Sequence, residues 1–177
     1  EASLRPKIRF LVDDLSIPEP AISRIIYTAP AILGLSLEHN LRPTAAFIIE
    51  RCGISSEQLG LIVISIPSIL SRSLIGKIEP CISFLSNGLM LGTNPVNLKA
   101  LILNTPRVLL QSVETSLAPK LQMISEAIDD ESKIEGKSLS EIQLAKAAAS
   151  ILSTNPALLV TTNSILHSRL KKYQEQP

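Results

Sequence analysis

Apolar residues along the chain fall into a helical stripe that restarts at intervals. At eight, five, four and one residues before Pro30 stand Ile22, Ile25, Ile26 and Ala29, and before Pro67 stand Leu59, Ile62, Val63 and Ile66. Leu98, Leu101, Ile102 and Thr105 precede Pro106 at the same spacing, and Ala148, Ile151, Leu152 and Asn155 precede Pro156. Spacing of i, i+3, i+4, i+7 puts these side chains on one face of an amphipathic helix. The proline after each stripe discourages helix at the residue before it and brings no N–H, so each stripe predicts a helix that stops at its proline.

The residues downstream of each proline are also in register. Ile32/Leu33, Ile69/Leu70, Val108/Leu109 and Leu158/Leu159 lie two and three residues on, and Ser36, Ser73, Ser112 and Thr162 lie six residues on. A second proline comes thirteen residues on at Pro43, Pro80 and Pro119, and Phe47, Phe84, Met123 and Tyr173 come at seventeen. The opening LRPKIRFL is a partial copy that supplies Phe10 to the last column. Fixed periods of this length are the signature of stacked helical repeats. Each repeat reads as a helix, a tight connector carrying the apolar pair, and a second helix. The Ser or Thr is placed to cap the second helix or a short 3₁₀ lead-in to it, and the second proline belongs in that helix's first turn. Gly53 and Gly92 mark helix exits, while Ser55 with Gln58 and Ser140 with Gln143 have capping-box spacing.

The spacing between first prolines is 37, 39 and then 50 residues, so the last repeat carries an insertion, DDESKIEGKS at 129–138, read as a solvated loop or an extended helix end. Residues 1–177 therefore form a single helical-repeat domain, with a partial repeat at 1–17 and repeats at about 18–53, 54–91, 92–128 and 138–177. The expected fold class is all-α, a right- or left-handed superhelical solenoid. Composition agrees: 45% of residues are hydrophobic but only 3% aromatic, so Ile, Leu, Val and Ala must build the core.

The pattern P-x-h-L-x-x-S followed by L-x-P-x-x-x-F-L closely resembles the repeat of the mitochondrial transcription termination factor (mTERF) family, over nearly the whole chain. The resemblance implies two α-helices and a short 3₁₀ helix per repeat, and a groove that binds organellar DNA or RNA. It implies roles in transcription termination or regulation, RNA metabolism or ribosome assembly, in a mitochondrion or chloroplast; no transit peptide is visible. The partners implied are double-stranded DNA or RNA, with a ribosome or an RNA-modifying enzyme as further candidates. The fourth repeat departs from the pattern with Arg169 where the second proline would stand.

A net charge of +1 is low for a phosphate binder, but position within the repeat changes the picture. The window from one to sixteen residues after each first proline holds eleven basic residues and four acids, whereas the rest of the chain holds six and twelve. Equivalent positions of a solenoid share one edge, so the bias predicts a basic stripe backed by an acidic surface. The candidate phosphate contacts are Arg42, Arg72, Lys77, Lys120 and Arg169, with Arg5, Lys7, Lys171 and Lys172 beside them. Phe10, Phe47 and Phe84 read as core rather than base-stacking residues, which leaves Tyr27 and Tyr173 for stacking.

Nothing points to an enzyme, a cofactor or a metal. His39 and His167 lie in different repeats without an acid at motif spacing, and Cys52 and Cys81 read as two buried reduced thiols. The most apolar run, Leu59 to Leu70, is broken by Ser65 and Pro67 and is too short to span a bilayer, so no membrane association is expected. The alternative to nucleic-acid binding is a protein-interaction scaffold or a ribosome-associated structural subunit.

Overall fold

A computed structural model describes residues 4–88, 95–134, 139–166 and 168. Every regular element among them is helical, and the chain divides into two compact units, residues 1–82 and 83–177. The N-terminal unit holds α1 (Leu4–Arg9), α2 (Glu19–Thr28), the short α3 (Ala31–Gly34), α4 (Arg42–Cys52), α5 (Ser56–Ser65) and the start of α6 (Glu79–Ser83). The C-terminal unit holds α7 (Pro95–Asn104), α8 (Ala118–Ile134) and α9 (Glu141–Thr154).

The first helix of each repeat ends as expected. Ala29, Ile66, Thr105 and Asn155, each just before the first proline, donate the last helical hydrogen bond and leave helical conformation. The connector is a 3₁₀ turn that begins at the proline itself in three repeats, Pro67–Ser71, Pro106–Leu110 and Pro156–Leu159. In the first full repeat that turn is the α-helical α3. Placing proline at the head of the turn costs no hydrogen bond, because an N–H there has no partner.

The lead-in to the second helix differs from the 3₁₀ turn expected. Ser36, Ser73 and Ser112 accept hydrogen bonds from the amides of His39, Gly76 and Thr115, but the turn they cap is a wide π-type turn. These turns run over Leu37–Leu41, Leu74–Ile78 and Val113–Leu117, and close by i→i−5 bonds from Arg42, Glu79 and Ala118. The second proline comes directly afterwards, in the first turn of the second helix as expected, but that helix is continuous with the wide turn before it. In a regular helix its ring would collide with the carbonyl four residues back, and its missing N–H would orphan that carbonyl. Winding the preceding turn one residue wider relieves both problems. Thr162 lacks this capping bond and instead shares a hydroxyl contact with Ser164 at 3.2 Å.

The second helix ends at a left-handed residue. Gly53 has φ of 63°, and Ser16, at the same position of the partial first repeat, is forced to 54°. The next residues, Ile17 and Ile54, both turn into the core. Gly92 lies outside the described residues. Both capping boxes, Ser55 with Gln58 and Ser140 with Gln143, are formed. The first part of the insertion, 129–134, continues α8 as an extended helix end.

Each compact unit has an aliphatic core drawn from the predicted columns. In the N-terminal unit Ile25, Ile32, Leu59, Val63, Ile69 and Leu70 are at most 1% exposed, alongside Leu11, Leu15, Leu41 and Ile48. In the C-terminal unit Leu98, Leu101, Ile102, Val108, Leu109, Leu152 and Leu159 play the same part. Phe10 is core as expected, whereas Phe47 and Phe84 are half-buried.

α5 comes unusually close to the connector after the partial first repeat. A Cβ on Gly60 would lie 2.0 Å from the Leu15 carbonyl oxygen and 3.4 Å from Cγ1 of Ile17. Glycine is what permits this approach.

Candidate nucleic-acid interface

Of the nine basic residues singled out by repeat position, the six that lie among the described residues divide into three groups. Arg5 and Lys77 are exposed, and neither has a carboxylate within ion-pair distance among the described residues. Arg5 lies on α1 between Leu4 and Pro6, and Lys77 on the π-type turn that starts the second helix of the next-but-one repeat. Arg9 and Arg107, basic residues of the same window, are exposed as well.

Arg42 and Arg72 are engaged. Arg42 occupies the position equivalent to Arg5, directly before the second proline, and its guanidinium is held on three sides. One terminal nitrogen lies 2.6 Å from Oδ2 of Asp14, Nε lies 3.3 Å from Oε1 of Glu38, and the guanidinium carbon lies 5.4 Å from the Phe10 ring centroid. Glu38 is the (i, i+4) partner on the same turn, while Asp14 and Phe10 belong to the preceding repeat. Arg42 therefore staples two repeats together, and the two carboxylates offset its charge. Its side chain remains 45% exposed, so one side still faces solvent. Arg72 closes the Pro67–Ser71 turn through an N–H bond to the Ile69 carbonyl at 3.3 Å, and its half-buried side chain acts electrostatically on Cys81.

Lys7 and Lys120 are not available to a phosphate, which corrects the sequence reading for these two. Each is 3% exposed. The Lys7 ammonium donates to the Leu33 carbonyl, and Lys120 donates to the Leu159 carbonyl at 2.7 Å and to Oγ of Ser116 at 2.9 Å. Burial lowers the pKa of Lys120. Charge and position in the repeat place them on the basic edge; the equivalent residues of other repeats show why they turn inward. Both directly follow the second proline, at the column occupied by the buried Thr44 and Cys81 in the other repeats. A column that is otherwise apolar or small is the signal that would have separated them from Arg5 and Lys77.

Arg169, Lys171 and Lys172 lie outside the described residues, as do Tyr173 and the side chain of His167. Tyr27, at the end of α2, is 91% exposed. His39 sits on the rim of its π-type turn, its amide bonded to Ser36. Cys52 and Cys81 are buried thiols outside any disulfide, and burial pushes both up to about 12. Among the described residues no cluster of His, Cys, Asp or Glu could hold a metal ion, and no helix is long and apolar enough to cross a membrane.

The partner that repeat position did not reveal is Asp14. It could have been found by comparing columns between adjacent repeats. Asp14 stands nine columns after the residue that, one repeat later, is Arg42; the same two columns in the next pair of repeats hold Arg51 and Glu79, with the signs exchanged.

The sequence model of the mTERF family matches residues 1–98, more than half of the 177-residue chain. No match is found among curated proteins. That stretch contains the prolines, capping serines and apolar pairs of the first two full repeats together with Arg5, Arg42, Arg72 and Lys77. The repeat architecture and the family match agree, and the chain belongs to the mTERF family of helical-repeat, nucleic-acid-binding factors.

Proposed function

We propose that this chain binds organellar DNA or RNA through the basic edge of its repeats and acts in transcription termination or regulation, or in RNA metabolism, in a mitochondrion or plastid. The observation that carries the reading is the sorting of charge. The repeat window that holds eleven of the seventeen basic residues also supplies exposed cations that have no carboxylate partner among the described residues, Arg5 and Lys77 in the N-terminal unit. Arg72 and Arg42 lie in the same window, the latter presenting to solvent the part of its guanidinium not paired with Asp14 and Glu38. Arg107 occupies the same window in the C-terminal unit, and Arg169, Lys171 and Lys172 carry it into the last repeat. With aromatic residues at 3% of the chain, phosphate contacts contribute more than base stacking, so affinity is weakly sequence-dependent.

The test is fluorescence anisotropy with labelled 30-mer duplex DNA and RNA. The triple substitution Arg5→Gln, Lys77→Gln, Arg107→Gln is expected to weaken binding at least tenfold, by order of magnitude, while leaving the thermal transition in place. Equal affinity for the triple variant and the unaltered chain would remove the basic edge from consideration. A second reading, a protein-interaction scaffold such as a ribosome-associated subunit, is favoured by Leu61 and Ile75, large apolar side chains 68% and 79% exposed. A stoichiometric protein partner that survives nuclease treatment and is released by Leu61→Ser and Ile75→Ser would support it.

A further inference from the structure

We propose that Lys7 and Lys120 are positioning residues, buried inter-repeat clamps whose ammonium groups fix the proline-led turn of the next repeat and thereby set the segment that carries its basic edge. The proposal rests on the functional reading above for its consequence, but the clamp itself stands on geometry seen twice.

The two lysines occupy the same place in the repeat, one residue after the second proline at Pro6 and Pro119. They reach the same acceptor, the backbone carbonyl three residues after the first proline of the next repeat, Leu33 in one case and Leu159 in the other. The separation along the chain differs, 26 residues against 39, because the last repeat contains the insertion. The same bond therefore forms whether or not residues are inserted between donor and acceptor, so it reflects the stacking of repeats and not local chain proximity.

The acceptors have a physical reason to attract a cation. Leu33 lies in the last turn of α3, and Leu159 is the last residue of its 3₁₀ turn. Carbonyls at the end of a helical turn lack intrahelical donors and carry the negative end of the local dipole. Neither lysine has a carboxylate partner among the described residues, so its charge is met by backbone dipoles and, for Lys120, by Ser116, which in turn donates to Gln111 at 2.7 Å. A buried ammonium is tolerated only where such groups satisfy it. Fixing these carbonyls also fixes the chain beyond them. Downstream of Leu33 the chain passes through the Ser36 cap and the π-type turn to Arg42.

Thr44 and Cys81, buried in the same column, have side chains too short to span from one repeat to the next turn in this way. The chain thus contains clamped turns, at 31–34 and 156–159, and at 67–71 a turn that no lysine clamps among the described residues, which serves as an internal control.

The experiment is amide hydrogen exchange, paired with salt titration of binding to the labelled duplex, on Lys7→Met and Lys120→Met, which keep the apolar stem and remove the donor. The amides to watch are Leu35, bonded to the Ile32 carbonyl, and Val160, bonded to the Ala157 carbonyl; the control is Arg72, bonded to the Ile69 carbonyl. Exchange at Leu35 in Lys7→Met, and at Val160 in Lys120→Met, is expected to accelerate about ten- to hundredfold, with Arg72 unchanged. Lys7→Arg, which retains a donor, is expected to restore protection to within about threefold, which separates loss of the bond from loss of packing. For Lys7→Met, affinity falls while the slope of log K against log salt stays the same, because no phosphate contact is lost; a phosphate-contacting lysine would lower that slope by about 0.9. Unchanged exchange at Leu35 and Val160, or a reduced slope, overturns the clamp. Absence of any binding by the unaltered chain overturns the functional reading instead, and exchange still decides the clamp.

Discussion

Replacing Gly60 by alanine tests a close inter-repeat approach in the N-terminal unit. The added Cβ would sit 2.0 Å from the Leu15 carbonyl oxygen and 3.2 Å from its carbon. Both are backbone atoms, so no rotamer change relieves the contact, and α5 must move away from the Leu15–Ile17 connector. That movement loosens the packing of Leu59 and Val63, which are fully buried. Overpacking of this kind costs about 1–3 kcal/mol, and a backbone collision belongs at the upper end. Alanine recovers up to about 1 kcal/mol of helix propensity, which leaves a net loss of about 2 kcal/mol. For a chain of this size that lowers the melting temperature by about 4–8 °C. The assay is urea and thermal unfolding followed by circular dichroism at 222 nm, with Gly34→Ala as control. Nothing lies within 4 Å of a Cβ at Gly34, so the control is expected to be neutral or slightly stabilising. A Gly60→Ala variant as stable as the unaltered chain would refute the close approach and with it the stacking of α5 on the first repeat.

Three further predictions concern other positions. Ser16 holds φ of 54° where the next repeat uses Gly53, so Ser16→Gly should stabilise the fold by about 1 kcal/mol, read as a shifted urea midpoint; destabilisation would contradict the left-handed assignment. Because burial lowers the pKa of Lys120 below 10.5, the unfolded chain binds the proton more tightly. The stability of the unaltered chain relative to Lys120→Met should therefore rise as pH is raised through the lowered folded value toward 10.5, and a gap that narrows between pH 7 and pH 10 contradicts the burial. Cys52 and Cys81, with thiols pushed up to about 12, should react with a disulfide reagent at pH 8 only as fast as the N-terminal unit opens, so fast labelling under native conditions would show that the thiols are exposed.

The fold was legible in the sequence to the extent that it rests on local signals repeated in register. The stripes ending before Pro30, Pro67, Pro106 and Pro156, the caps at Ser36, Ser73 and Ser112, the exit at Gly53 and the two capping boxes all come from rules that act within a few residues. The wide turn ahead of each second proline was not legible. Pro43, Pro80 and Pro119 do stand in the first turn of an α-helix as expected, but nothing local showed that a wide turn would run into that helix without a break and relieve the proline. The candidate site was legible only in part, because charge and repeat position do not say which way a side chain points. Arg5 and Lys77 face solvent as the charge pattern suggests. Lys7 and Lys120 share that pattern but answer to carbonyls one repeat away, and Arg42 answers to Asp14, 28 residues back. Such partners are set by stacking between repeats, so they emerge only when columns of adjacent repeats are compared.

The proposed reading is phosphate recognition along the basic edge, and the salt dependence of affinity measures it most directly. Affinity of the full chain for duplex DNA and for RNA, titrated from about 50 to 200 mM potassium chloride, should give a straight line of log K against log salt. Its slope should shallow by about 0.7–0.9 for each of Arg5 and Lys77 replaced by glutamine, and stay unchanged when the buried Lys7 is replaced by methionine. A salt-independent affinity, or a slope indifferent to Arg5 and Lys77, would contradict binding through the basic edge.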